Sequence, residues 1–252
     1  MEISKAKTSL FAGLQTKKQR EKSGLFIAEG EKCALDTIGA FALEWLVATP
    51  AWIARHQVIP NVPADRILEA PESTMRKISS LACAPEVLAV FRLPDTPKED
   101  PLLDKAGLYL LLDGIQDPGN LGTIIRTADW FGFDSIYASR DTVDVFNPKT
   151  VQSTMGSLHR VKVIYTDLPS LIKRSGIENV YGTLLDGKDM FKTELGESGV
   201  IVMGNEGKGL SAEMRTLVNR PLLIPPYRAG SHGESLNVAI ATAITLARFR
   251  NQ

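Results

Sequence analysis

The sequence predicts an α/β protein: a parallel sheet with helices on both faces, preceded by a smaller α/β domain. Two observations carry this. From Gly107 onward, apolar runs of strand type ("GLYLLLDG", "SIYAS", "VKVIYT", "NVYGTLLDG", "GVIVMGNEG", "PLLIPP") are interleaved with helical stretches. Ahead of them, "FRLPDTPKEDPLLDKAG" gathers three prolines among charged residues with no apolar period, as an exposed linker does. The domains are therefore placed at residues 1–95 and 107–252, with the linker at 96–106.

In the first domain, "LFIAEG", "FALEWLVAT" and "EVLAVFRL" read as strands, and "EGEKCALDTIGA" and "PESTMRKISSLA" as helices. In the second, helices are expected over Asp117–Gly132 and within "PKTVQSTMGSLH", "LPSLIKRSG", "SAEMRTLVN" and "SLNVAIATAITLARFRNQ". Ligands of such sheets bind beyond the carboxyl ends of the strands, so the loops after Asp113, Leu185, Met203 and Ile224 should carry the chemistry.

Composition narrows the function. A 252-residue chain that is 44% hydrophobic can bury a proper core. Its 29 basic and 29 acidic residues balance, so only a local cluster argues for a polyanionic partner. The first 22 residues hold such a cluster: Lys5, Lys7, Lys17, Lys18, Arg20 and Lys22 against Glu2 and Glu21. It is either a solvated helix face or a phosphate-contacting surface. Cys33 and Cys83 form no CxxC and lie near no run of histidines, which suits reduced thiols in the cytoplasm and gives no metal site. No apolar run approaches the roughly 20 residues that cross a bilayer, so no membrane role is expected.

Three stretches could carry chemistry. In "DPGNLGTIIRTADWFGFDSI", Leu121, Ile124, Ile125, Ala128 and Gly132 share the face that must bury. Arg126 points away from it, beside Thr123 and Trp130, with Asp129 at i+3 as an available ion partner. An exposed intrahelical pair and a functional arginine are both open at this point. Asn120 is a natural N-cap, and helix N-termini bind anions. In "VIVMGNEGKGLSAEM" a strand enters a glycine-rich turn, and Ser211 caps a new helix. A phosphate-binding P-loop is excluded because the lysine is misplaced, and no G-x-G-x-x-G dinucleotide fingerprint is present, which removes an oxidoreductase reading. In "LLIPPYRAGSHGESLNVAIATAITLARFR" a polar loop precedes an alanine-rich helix opened by Ser235 or Asn237, with Glu234 beside them.

Together the three stretches resemble the three motifs of the SpoU (TrmH-like) RNA 2′-O-ribose methyltransferases of the SPOUT superfamily, over about residues 105 to 252. The N-terminal "LQTKKQREKSGLFIAEGEK" resembles the ribosomal-protein-like substrate-binding domain often fused ahead of that catalytic domain. The resemblance implies a C-terminal trefoil knot, S-adenosylmethionine bound in its loops, and a homodimer that completes the active site. It implies that Leu184, Gly204, Asn205, Glu206, Ile224, Ser235, Leu236 and Asn237 line the cofactor pocket. Asn120, Arg126, Glu206, Ser235 and Asn237 would form the catalytic centre, with RNA met by Lys17, Lys18, Arg20 and Arg126. The loop from Pro225 to Glu234 is a few residues longer than the family's usual spacing, which brings Arg228 or His232 toward the RNA.

The chemistry implied is methyl transfer from a sulfonium to a ribose hydroxyl, ribosomal RNA being the first substrate class and transfer RNA the second. A guanidinium, protonated at any physiological pH, suits phosphate clamping and oxyanion stabilisation better than base catalysis, which leaves Glu206 as the ordinary proton acceptor. The alternative is an RNA-binding protein that keeps the fold without catalysis; such a protein should have lost some of Asn120, Arg126, Glu206 and Asn237, and this chain has all four.

Overall fold

A computed structural model describes residues 1–56, 58–95, 101–227 and 235–251. The chain divides into two compact units, residues 1–96 with 144–159, and residues 97–143 with 160–252.

The first unit runs α1 (Lys5–Gly13), α2 (Lys17–Ser23), β1 (Leu25–Glu29), α3 (Glu31–Thr37), β2 (Leu43–Ala48), α4 (Pro50–Arg55), β3 (Ile67–Glu69), α5 (Glu72–Ile78) and β4 (Val87–Arg92). The helices α1 and α2 fall, but for Ser23, in the first 22 residues, for which a solvated helix face was one of two readings, while α4 and the short β3 were not read from the sequence. The sheet order is β1-β4-β2-β3, antiparallel except between β2 and β3. Alternation along β1 sends Ile27 into a core with Phe11, Leu14, Leu68, Met75 and Ile78. Phe26, one residue earlier, faces the other way and meets Phe91, its ladder partner, at 5.4 Å between ring centroids.

The second unit contains β5 (Leu108–Asp113), α6 (Pro118–Trp130) and β6 (Ser135–Ala138). The chain then leaves for the first unit, where α7 (Pro148–Ser153) belongs, and returns through β7 (Lys162–Tyr165), α8 (Leu168–Ser175), β8 (Val180–Asp189), β9 (Gly199–Gly204), α9 (Ala212–Leu217), β10 (Arg220–Leu223) and α10 (Val238–Arg250). The sheet order is β10-β8-β9-β5-β6-β7, every pair parallel. Leu111, Val200 and Val202 pack on one face with Leu168, Leu171 and Ile172 of α8 and Met214 of α9. Leu110, Leu112, Ile201 and Met203 are buried on the opposite face, where α6 and α10 pack together.

Residues 144–159, read in chain order as part of the second domain, thus sit in the first unit. The physical reason is specific. Arg20 forks onto Asp144 Oδ2 through Nε (3.1 Å) and Nη2 (2.6 Å), and Phe146 packs on Phe26 at 4.8 Å. Arg20, expected on the basic RNA-facing surface, is accordingly only 2% exposed and is removed from that surface. Lys17, Lys18 and Lys22 are exposed.

No helix among the described residues is long and apolar enough to cross a membrane. Arg228 and His232, expected to approach the RNA, lie outside the described residues.

Candidate active site

Parallel strands bring their carboxyl ends to one rim, and three sequence stretches meet there. Asp117, not Asn120, caps α6: its Oδ1 accepts from the Asn120 N–H at 2.8 Å, and Pro118 opens the helix. Aspartate before proline is a start signal that the sequence reading passed over. The helix ends at Trp130, so Gly132, counted among its burying face, lies beyond it with φ +71°.

Relieved of capping, the Asn120 side chain is free for tertiary contacts. Its Nδ2 donates to Glu206 Oε1 at 3.1 Å, and its Oδ1 accepts from Asn237 Nδ2 at 2.9 Å. Asn237 in turn caps α10, its Oδ1 accepting from the N–H groups of Ala239 (2.9 Å) and Ile240 (3.3 Å). Glu206 also accepts from the N–H groups of Gln116 and Asp117, each at 3.3 Å.

Partial burial pushes the Glu206 carboxyl upward, but hydrogen bonds from Asn120 and from the backbone of Glu206 itself, Gln116 and Asp117 outweigh it and hold the group below the ordinary carboxylate range. The ionised form of Glu206, expected as a proton acceptor, is thereby favoured. It ties the glycine turn to the start of α6.

The glycine turn is closed by reciprocal main-chain hydrogen bonds between Asn205 and Gly209, both 2.9 Å. A Cβ on Gly204 would stand 2.5 Å from the Gly209 carbonyl carbon, so only glycine permits this closure. Asn205 Oδ1 accepts from Gly207 and Lys208 N–H, and its Nδ2 donates to the Gly114 carbonyl at 2.7 Å. Ser211 caps α9 and its N–H reaches buried Asp113 at 2.7 Å. Asp113, Gly114, Gln116 and Asp117, which no sequence argument singled out as site residues, hold the rim together.

Arg126 and Ser235 stand outside this network. Both are exposed, and neither makes a side-chain hydrogen bond or ion pair among the described residues. Asp129, expected to pair with Arg126, instead takes a forked bond from Arg160, with Nε at 2.9 Å and Nη2 at 2.7 Å. Arg126 lies on the face of α6 that also carries Thr123 and Trp130, the latter 85% exposed.

Of the remaining residues implied for the cofactor, Leu184 is half-buried in the middle of β8, Ile224 is half-buried directly after β10, and Leu236 is 51% exposed just before α10. The main-chain groups of Ile224 and Leu236 make no hydrogen bond among the described residues. Backbone groups that no described residue occupies, beside aliphatic side chains, suit a nucleoside cofactor read by the main chain.

This rim joins an Asn-bearing helix start, a glycine turn with an anchored glutamate and an Asn-capped final helix, the three stretches that carry the motif resemblance. The chain belongs to the SpoU rRNA Methylase family, whose model matches residues 107–247. An MRM3-like substrate binding domain matches residues 9–89. The chain is 33% identical over 248 residues, 94% of its length and 93% of the relative's, to the "23S rRNA (guanosine(2553)-2'-O)-methyltransferase RlmP" of Bacillus subtilis. Its structure resembles that of a TrmH-family RNA methyltransferase from Porphyromonas gingivalis with TM-score 0.83 and 36% identity over 99% of both chains. An AdoMet-bound rRNA methyltransferase from Sinorhizobium meliloti matches with TM-score 0.81 and 30% identity, over 99% of this chain and 97% of that one.

Proposed function

We propose that this protein transfers a methyl group from S-adenosylmethionine to a ribose 2′-hydroxyl of ribosomal RNA. The observation that carries the reading is the continuous link Glu206–Asn120–Asn237, which fastens three separate motif loops at one rim. The Bacillus subtilis and Sinorhizobium meliloti relatives, named for rRNA methylation, support ribosomal over transfer RNA.

When bound, the cofactor supplies an electrophilic methyl on a positively charged sulfur. In this reading Gly204, Asn205, Ile224, Ser235, Leu236 and Leu184 hold it, chiefly through main-chain groups, with Asn237 at the pocket's edge. Arg126 grips the phosphate next to the target ribose and stabilises negative charge as it grows on O2′. Glu206 acts through Asn120, keeping that amide aimed where the ribose must sit, and the O2′ proton passes to solvent water as the methyl is transferred and the neutral thioether leaves. Orientation of this kind supplies a large share of the barrier reduction for a two-substrate transfer.

We also infer that the protein is a homodimer whose C-terminal part forms a trefoil knot. Supporting the dimer, Trp130 (85%), Leu236 (51%) and Ile240 (53%) are exposed on and beside α6 and α10, and α10 carries no charge before Arg248. Light scattering at micromolar concentration is expected to give twice the 27.5 kDa chain mass.

The test of activity is labelled methyl transfer from S-adenosylmethionine to total RNA of a strain lacking the protein, followed by nucleoside mapping. A single 2′-O-methylated nucleotide in ribosomal RNA is expected. Failure to label any RNA, under conditions where the protein is folded and binds the cofactor, sinks the reading in favour of an RNA-binding protein without catalysis.

A further inference from the structure

We propose that the crevice between the carboxyl ends of β5 and β9 is a guanine-binding subsite for the RNA, read by Asp141 and Lys208; the proposal rests on the RNA methyltransferase reading. These two strands are neighbours, yet the loop after β5 leads to α6 on one face and the loop after β9 leads to α9 on the other. A parallel sheet opens a ligand crevice where its connections part in this way. Here the crevice is a cavity of about 520 Å³ lined by residues that include Asp113, Gly114, Gln116, Asp141, Asn205 and Lys208. It shares Asn205 with the residues assigned to the cofactor, of which Leu184 and Ile224 lie on the β8 and β10 side of the sheet.

The walls are fixed before any ligand arrives. The Gly114 carbonyl accepts from Asn205 at 2.7 Å, the Gly114 N–H donates to Ser139 Oγ at 2.8 Å, and Gln116 Nε2 donates to the Asp141 carbonyl at 2.6 Å. Asp141 Oδ2 sits 3.2 Å from where a Cβ on Gly114 would be, so glycine at this position, with φ +76°, leaves the carboxylate its place.

Three carboxylates border the crevice, and two are spoken for. Asp113 accepts from Ser211 N–H, and Glu206 accepts from Asn120, Gln116 and Asp117. The Asp141 carboxylate and the Lys208 ammonium make no hydrogen bond or ion pair among the described residues. A wall carrying three carboxylates repels RNA phosphates and favours a neutral base. Among the bases only guanine offers two adjacent N–H donors, N1 and N2, to match the two oxygens of a carboxylate, with an acceptor, O6, beside them for an ammonium. Uracil has one N–H between acceptors; adenine and cytosine have a single amino group. Unstacked bases of single-stranded RNA are read on these same edges.

The probes are GMP, IMP, AMP and UMP, titrated into the full-length protein and followed by saturation-transfer NMR. IMP differs from GMP only by the missing N2 amino group. GMP is expected to bind about tenfold more tightly than IMP, and more tightly than AMP or UMP. In Asp141→Asn that preference should vanish with the melting temperature unchanged, because the residue is exposed. Equal binding of GMP and IMP to the wild type, or an undiminished ratio in D141N, overturns the subsite. The two readings fail separately. Methyl transfer to RNA without GMP selectivity removes the subsite alone, and GMP selectivity without methyl transfer to any RNA removes the enzymatic reading alone.

Discussion

Asn237 donates its side-chain amide to Asn120 Oδ1 at 2.9 Å, although 117 positions separate the two residues. Each amide is used at both ends. Asn237 also caps α10 through its oxygen, and Asn120 also holds Glu206 through its nitrogen. The final helix, the first helix of the catalytic unit and the glycine turn are thereby set by two short polar side chains.

Replacing Asn120 by Ala should break both links while leaving the helix cap, which belongs to Asp117, intact. The fold should lose about 1–2 kcal/mol, the usual cost of lost hydrogen bonds at a half-buried position. Methyl transfer should fall about a hundredfold or more, since a displacement near 1 Å in a positioned site costs that much. Thermal melting and initial rates on ribosomal RNA check both numbers; a rate within threefold of wild type rules out a positioning role for Asn120.

The sheet was legible because its inner parallel strands, covered on both faces, must be apolar runs, and the runs survive in "LYLLLD" and "GVIVMG" whatever surrounds them. The strand ends then located the rim. What the sequence did not disclose were pairings over long distance. Asp129 lies three residues from Arg126 but bonds Arg160, and Arg20 lies in a basic run but is buried on Asp144, 124 residues away. Local spacing lists available partners and cannot rank them against one brought by the fold. The capping of α6 was a different miss: Asp117 precedes a proline, and this local signal lost to the conspicuous Asn120.

Arg126 should separate chemistry from folding. The side chain is exposed and bonded to nothing among the described residues, so Arg126→Ala should change stability by no more than about 0.5 kcal/mol. Methyl transfer should be abolished with cofactor affinity by calorimetry nearly unchanged. Arg126→Lys should restore little, because a point charge cannot replace a bidentate grip on phosphate. Wild-type turnover in Arg126→Ala would take the arginine out of the mechanism.

Glu206 makes a prediction in pH. Its carboxyl is held below the ordinary 4.5 by the donors around it, so the folded state prefers the ionised form. The stabilisation is fully present above the unfolded value; it is lost as pH falls from about 4.5 down through the lower folded value. Glu206→Gln should flatten the acid side of the stability curve in that window and reduce stability at pH 7, because one amide oxygen cannot accept from Asn120, Gln116 and Asp117 together. The pH profile of wild-type methyl transfer should show no limb from this residue between pH 6 and 8. A limb there that disappears in Glu206→Gln would restore it as the proton acceptor.

Between residues 17 and 22 the basic cluster divides into one structural residue, Arg20, and three surface ones. Arg20 is buried against Asp144 and also donates to the Leu14 carbonyl at 2.7 Å, so Arg20→Ala strands a largely buried carboxylate and should cost about 3–5 kcal/mol. Lys17, Lys18 and Lys22 are exposed, and the 3.9 Å approach of Lys17 to Glu21 is too solvated to matter much for stability. Reversing all three to Glu should leave the melting temperature nearly unchanged, weaken binding to ribosomal RNA and flatten its dependence on salt, since a protein that neutralises fewer phosphates releases fewer counterions. Fluorescence anisotropy across a salt series reads both effects. An unaltered slope would make these lysines ordinary solvated surface and move the RNA path of this unit elsewhere.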